Sequence, residues 1–449
     1  MWIVNAEVKP GFWGCVRVVG ARIVEIADRA GDDDVVVDAR FCAVLPGLHD
    51  HHIHLYASAA ARRSVDCGPG RGMEGVARAL RGAGGDGWVR GVGFCESAGR
   101  DIDLDWLDGV MPARPVRVLH RTGRCWYFNS VALDVFAAGG ADLAAFERVD
   151  DDLSGRLFDG DDWLAAQKID REVVTLGEVS RELAGLGVTA VTDASYRNDA
   201  AVAAQFFEAR RTGELLQQVY LMGRLGARGI ADQGLVPCLA LKIHLHDNDF
   251  PDFEETVTAV RAAHALDLGV AVHVVTEADL VFAMAVIREA GTNGKDRIEH
   301  AAIVMPEFLA ELRALGVSVV TQPHFVARHG DRYAHEFSAE VCAGMYRCGG
   351  FLAAGIPLAA GSDSPYGSLN PWEAMQAAVE RDVRFGGASE ALSPMQALGL
   401  YLGEARELAA GAPADLVILD RGWGAALERL GDVKVRATMI SGHWAVPPK

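Results

Sequence analysis

The chain has 449 residues, about three times the commonest domain length, yet a single α/β barrel with insertions reaches this size undivided. Half of the residues are hydrophobic and 23% are charged, which excludes a disordered chain, and 43 Lys and Arg against 61 Asp and Glu leave a net charge of −18. So acidic a surface repels nucleic acid and anionic membranes; small molecules are the expected partners, and a homo-oligomer is compatible with this composition.

The opening MWIVNAEVKP has no basic segment followed by an apolar one, and the closest approach to a membrane span, FLAAGIPLAAG at 351–361, is broken by Gly and Pro. A cytoplasmic protein is expected. The eight cysteines (Cys15, Cys42, Cys67, Cys95, Cys125, Cys238, Cys342 and Cys348) include no C-x-x-C pair and are expected as reduced, mostly buried thiols.

From residue 1 to 43 the apolar clusters WIV, VRVV, RIVEIA and VVVDA are short and rich in Val and Ile, which predicts small β-strands. Beyond residue 411 the same texture returns in ADLVILD, VKVRATMI and HWAV, so residues 1–43 and 411–449 are expected to form one small β-sandwich domain. Phe41 to Leu45 reads as a strand running into a turn at Pro46 and Gly47, ahead of the His-rich PGLHDHHIHL at 46–55. His52 and His54 stand two apart there. On a strand such side chains share a face, so both imidazoles can reach one metal ion.

PVRVLHR (115–121), with most of residues 60–175 and the Gly-rich turn GAGGDG, is assigned to an insertion after the first barrel strand. The later strand candidates are VTAVTDA (188–194), QQVYLMG (217–223), LALKIHLH (239–246), GVAVHVV (269–275), DRIEHAA (296–302), VSVVTQP (317–323) and PLAAGSD (357–363). With the strand before His52 they make eight. Helical stretches such as FEETVTAVRAAHALD and EADLVFAMAVIREAG alternate with them, the pattern of an α/β fold closed as a (β/α)₈ TIM-type barrel over residues 44–410.

In such barrels the chemistry gathers at the C-terminal ends of the strands. The polar residues at those ends are His52, His54, Lys242, His273, His300 and Asp363. Taken singly, a strand-end histidine is more often a hydrogen-bonded structural group than a ligand. Their joint order, His-x-His, Lys, His, His, Asp, is what carries weight.

With PGLHDHHIHL, LKIHLHD, VAVHVVTE, RIEHA, TQPH, AAGSDSPYG, NPWEAMQAAVER and GAPADLVILD in these places, the chain resembles the amidohydrolase superfamily over nearly its full length. Within it, the chain looks like the branch containing N-substituted formamide deformylase and related deacylases. The resemblance implies two divalent metal ions: His52, His54 and Asp363 on one, His273 and His300 on the other, and a carboxylated Lys242 bridging them. Zinc suits imidazole and carboxylate ligands, and manganese or iron(II) can occupy the same shell. A divalent ion lowers the pKa of water it binds to about 7, so hydroxide forms at neutral pH. Asp363 can take a proton there and pass it to the leaving nitrogen. A buried lysine favours its neutral form, which reacts with carbon dioxide.

LKIHLH directs His244 and His246 to the face of Lys242, which makes His244 a reserve ligand and a surface or ion-paired lysine the alternative. Asp50 is expected to orient a ligand imidazole from behind, with turn capping as the alternative, while His49 and His51 alternate to the opposite face as structural groups. RTGRCWYFNSVAL (121–133) resembles an insert motif of the branch, but Arg124 stands where the family has a histidine. Arg124 can pair with a substrate carboxylate; the alternative is an exposed arginine over Trp126. Trp126, Gln322, His324 and Tyr366 are further substrate-pocket candidates, and Glu277, four residues past His273, is a candidate support behind the ligands.

The reading that follows is metal-dependent hydrolysis of a non-peptide C–N bond in an amide, an N-acyl or N-formyl amine, or a cyclic amide. One rival is an aminohydrolase (deaminase) of a ring or amidine, which commonly uses one metal and no bridging lysine. The other is a catalytically silent assembly protein.

Overall fold

The computed structural model describes residues 1–31, 35–167, 174–227, 236–245, 250–403 and 407–448. Eight parallel strands form one sheet: β1 (Leu48–Ile53), β2 (Val188–Asp193), β3 (Gln218–Gly223), β4 (Cys238–Ile243), β5 (Gly269–Val274), β6 (Arg297–His300), β7 (Ser318–Thr321) and β8 (Leu358–Ala360). Each pairs with its neighbour in chain order, and helices such as Ala200–Arg211, Phe253–Ala265 and Glu277–Ala290 intervene, as expected of a (β/α)₈ barrel. The helix Glu277–Ala290 begins at a capping box in which the Thr276 hydroxyl and the Asp279 carboxylate each accept from the other's backbone N–H.

The two edge strands meet just past β8. Asp363 N donates to His52 O at 2.8 Å, and His54 N donates to Ser364 O at 3.0 Å. Gly361 makes the approach possible, since a Cβ there would fall 2.4 Å from His52 N.

The run Phe41–Leu45 does not open the barrel. Val44–Pro46 pairs instead with Leu416–Leu419, and the barrel strand is the His-bearing segment Leu48–Ile53 itself. The physical reason is length: Gly47 separates two short strands that a continuous apolar reading merges. Val44–Pro46, Leu416–Leu419, Val435–Ile440 and His443–Val446 make one four-stranded sheet; Trp2–Lys9, Phe12–Val19, Arg22–Ala27 and Val36–Asp38 make another. Ile3, Val16, Val18 and Ile23 of the latter share one apolar core with Leu416, Ile418 and Met439 of the former.

By contact density the chain divides into two compact units, residues 1–55 with 176–449, and Tyr56–Thr175. The second holds a five-stranded sheet in the order Arg156–Phe158, Cys125–Phe128, Val116–His120, Val89–Phe94, Val65–Asp66. PVRVLHR supplies its central strand. Trp126, Phe128, Phe136, Phe146 and Leu157 form one of its apolar cores. All eight cysteines are outside disulfides, and seven are buried. Among the described residues no helix is long and apolar enough to cross a membrane.

Candidate metal centre

Strand register sets the levels of the site. Lys242 on β4 lies opposite Ala271 on β5, which lies opposite Arg297 on β6; one step up the barrel, His273 lies opposite Glu299. His244, just past β4, stacks its ring on that of His273 with centroids 4.4 Å apart and an interplanar angle of 20°. The ring of His273 meets His300 edge-on at 4.5 Å, and His300 lies 4.7 Å from His52.

At the seam between β1 and β8, one donor atom each from His52, His54 and Asp363 lies within 4.8 Å of the others. His54 Nε2 and His52 Nε2 lie 3.4 and 3.6 Å from Asp363 Oδ1, and His300 Nδ1 lies 3.9 Å from Oδ2. His300 and Asp363 hold φ angles of +65° and +50°, a left-handed conformation unfavourable for residues with a Cβ. Such strain costs roughly 1–3 kcal/mol per residue and persists where the surroundings impose it. Here it falls at the last residue of β6 and just past β8, where the His300 ring lies 4.7 Å from that of His52 and Asp363 Oδ1 lies 3.6 Å from His52 Nε2.

Burial shapes the charges. It pulls His52 down to about 3 and holds His273 well below the usual imidazole range, so both rings are neutral, the form that coordinates metal. For Asp363 burial works toward protonation, but the hydrogen bond from His54 and the nearby His300 and His52 keep it ionised. Burial brings Lys242 down to about 8, against the opposing pull of Glu299. Lys242 Nζ, Gln322 Nε2 and His324 Nδ1 are buried with no hydrogen-bond partner among the described residues. Polar atoms left so inside a protein call for a ligand, ion or water. Three converging donors, neutral imidazoles and an orphaned amine fit a divalent cation.

The structure brings His52, His54, His273, His300, Asp363 and Lys242 into one cluster, and His246 lies outside the described residues. Gln322 Oε1 accepts from His300 Nδ1 at 2.9 Å. His324 Nε2 contacts Ser362 O at 3.2 Å, and Gly367 leaves it room, since a Cβ there would sit 2.3 Å from that nitrogen. The Tyr366 ring lies edge-on to His54 at 6.0 Å. His49 stacks on His51 and contacts Thr192 Oγ1 at 2.8 Å.

Asp50 does not grip an imidazole. Its Oδ1 accepts from the backbone N–H groups of His52 and Ser362, at 3.1 and 2.9 Å, so it ties the two strand ends together. The carboxylate on the His52 ring is Glu299, with Oε2 2.5 Å from Nδ1. Glu277 lies exposed at the start of its helix, where Asp279 makes the capping contacts. Within the second unit, Arg124 donates from Nε and Nη2 to Asp159 at 3.1 and 2.9 Å, and the buried Trp126 donates from Nε1 to Asp161 at 2.6 Å.

Three residues escaped the sequence reading: Glu299; Asp193, which accepts from Leu55 N, Ser195 N and Asn198 Nδ2; and Ser195, whose hydroxyl meets His54 Nδ1 at 3.0 Å. The available signal for Glu299 was RIEH itself. Two opposite charges two apart in a short interior strand are expected to be paired and buried on one face.

The Amidohydrolase family matches residues 35–446. N-substituted formamide deformylase of Arthrobacter pascens is 25% identical over an alignment covering 96% of this chain and 93% of that protein. An uncharacterized metal-dependent hydrolase from Pyrococcus horikoshii OT3 superposes with a TM-score of 0.74 at 19% identity, covering 99% of each chain. Another from Pyrococcus furiosus gives 0.71 at 21% identity, covering 92% of this chain and 97% of its own. The likeness to these two solved structures shows the fold.

Proposed function

Because the chain belongs to the amidohydrolase family and is a hydrolase of carbon–nitrogen bonds other than peptide bonds, we propose that it cleaves an amide, an N-acyl or N-formyl amine, or a cyclic amide in a small molecule. The observation that carries this reading is the meeting of His52, His54 and Asp363 within 4.8 Å at the barrel seam. These three would hold one divalent ion and His273 and His300 a second, zinc being suited to both. Lys242, its amine buried and without a hydrogen-bond partner among the described residues, would bridge them once carbon dioxide has added to Nζ with loss of a proton. Bound there, the ions supply Lewis acidity, polarising a carbonyl oxygen and acidifying water at neutral pH.

The chain's own groups do the rest. With Oδ1 turned to both imidazoles, Asp363 takes a proton from the attacking water on Oδ2 and returns it to the departing nitrogen, so that the amine leaves neutral. Gln322 holds His300 through Nδ1, and Ser195 holds His54 through Nδ1. The name of the Arthrobacter pascens relative puts N-formyl amines first among the substrates to try.

The test is turnover of a panel of N-formyl, N-acyl and cyclic amides by metal-loaded protein, with free amine and free acid both monitored. Equimolar amine and acid from at least one class is the expected result. Release of ammonia from ring amines or amidines alone would move the protein to the deaminases, and no turnover by fully loaded protein would favour a silent assembly role.

A further inference from the structure

We propose that Glu299, held by Arg297, is the positioning residue that fixes the tautomer of His52 and so decides which ring nitrogen is offered to a metal ion. This rests on reading His52, His54 and Asp363 as metal ligands. Glu299 is fully buried on β6. Arg297 donates from Nε to its Oε1 at 2.7 Å and from Nη2 to its Oε2 at 3.1 Å, and the same Nη2 donates to His51 O at 3.0 Å. A guanidinium carries donors only, so both carboxylate oxygens are obliged to accept.

Glu299 Oε2 lies 2.5 Å from His52 Nδ1. Between an accepting oxygen and a ring nitrogen, the hydrogen belongs to the nitrogen. Nδ1 is therefore the protonated position, and Nε2 keeps its lone pair on the side that faces Asp363 Oδ1 at 3.6 Å. On His54 the carboxylate stands on the other nitrogen: Asp363 Oδ1 lies 3.4 Å from Nε2, and Nδ1 meets the Ser195 hydroxyl, which donates or accepts equally well. Of the two first-strand imidazoles, His52 is the one with a carboxylate behind its ring, on Nδ1, and Arg297 ties that carboxylate to the backbone of β1 through His51.

Glu299→Gln tests this with cobalt(II) as probe and no substrate present. If the new amide oxygen turns to Arg297, its NH₂ donates to His52 Nδ1 and drives the ring proton to Nε2. If it turns to His52, it still accepts from Nδ1–H, but the NH₂ then meets the Arg297 Nε–H at the closest contact of the pair, 2.7 Å, donor against donor, so the first orientation is the expected one. The expected result is cobalt binding about 10- to 100-fold weaker than wild type, the usual cost of losing a carboxylate behind a ligand imidazole. The visible absorption of bound cobalt should change, and ¹⁵N shifts of His52 in metal-free protein should move from the Nδ1–H to the Nε2–H pattern. Equal affinity with unchanged spectra overturns the proposal.

Should Glu299→Gln fail to fold, Arg297→Lys replaces the fork by one donor. Weaker cobalt binding is expected, and unchanged affinity overturns the proposal. A wild-type protein that binds no cobalt removes the metal reading and this proposal together. A wild type that binds, with variants that bind as well, removes only this proposal.

Discussion

The backbone N–H of Asp363 donates to the carbonyl of His52 at 2.8 Å, so the bond that brings the barrel's first and last strands together joins two of the residues that face the candidate ion. Closure of the fold and assembly of the site are one event. Asp50 reinforces it by accepting from both His52 N and Ser362 N.

Asp363→Asn is expected to keep the fold, because the backbone bond survives, while removing the proton carrier. A loss of at least ~10² to 10⁴ in turnover follows from general acid–base catalysis alone. Circular dichroism, metal analysis and kinetics together check it; a tenth or more of wild-type turnover at full metal occupancy would contradict the role.

Gly361→Ala places a methyl group 2.4 Å from His52 N and 2.6 Å from its Cβ. The seam must open to admit it, at a cost of about 1–3 kcal/mol for overpacking. A lower melting midpoint with weaker metal binding is the expected pair of effects, and a variant unchanged in both would show that the seam yields freely.

Deleting residues 1–40 removes Ile3, Val16, Val18 and Ile23 from the core they share with Leu416, Ile418 and Met439, together with the Glu7 carboxylate that accepts from Trp423 N at 2.7 Å. The exposed apolar face of the remaining sheet should make the protein insoluble. Soluble, active protein would show that the C-terminal sheet stands without its partner.

Arg124, about two-fifths exposed, spends two donors on Asp159, and a pair so exposed contributes only about 0.2–1 kcal/mol. Arg124→Ala is therefore expected to leave a carboxylate-bearing amide and a neutral one of similar size equally well hydrolysed. A selective loss of about tenfold or more on the charged substrate would restore Arg124 as its partner.

What could be read from the chain were groups that mark themselves locally: His52 and His54 two apart in an apolar segment, and Val- and Leu-rich runs alternating with helical periods. Glu299 was hidden because its partner His52 lies 247 positions away and meets it only through the barrel's closure. Asp50 leaves ring support and turn capping open for a related reason, since proximity in sequence to His52 says nothing of whether the carboxylate faces the ring or the backbone; the contacts with His52 N and Ser362 N match the capping alternative. The strand Val44–Pro46 was merged with its successor because a two-sided apolar run does not reveal which sheet it joins.

Metal stoichiometry with matched activity bears most directly on the central claim. Protein stripped by chelator, then reconstituted with zinc and bicarbonate, should bind close to two ions per chain and regain amide hydrolysis in proportion to them. One ion per chain, unchanged by bicarbonate, would contradict the Lys242 bridge, and full turnover by the stripped protein would contradict the metal-dependent reading altogether.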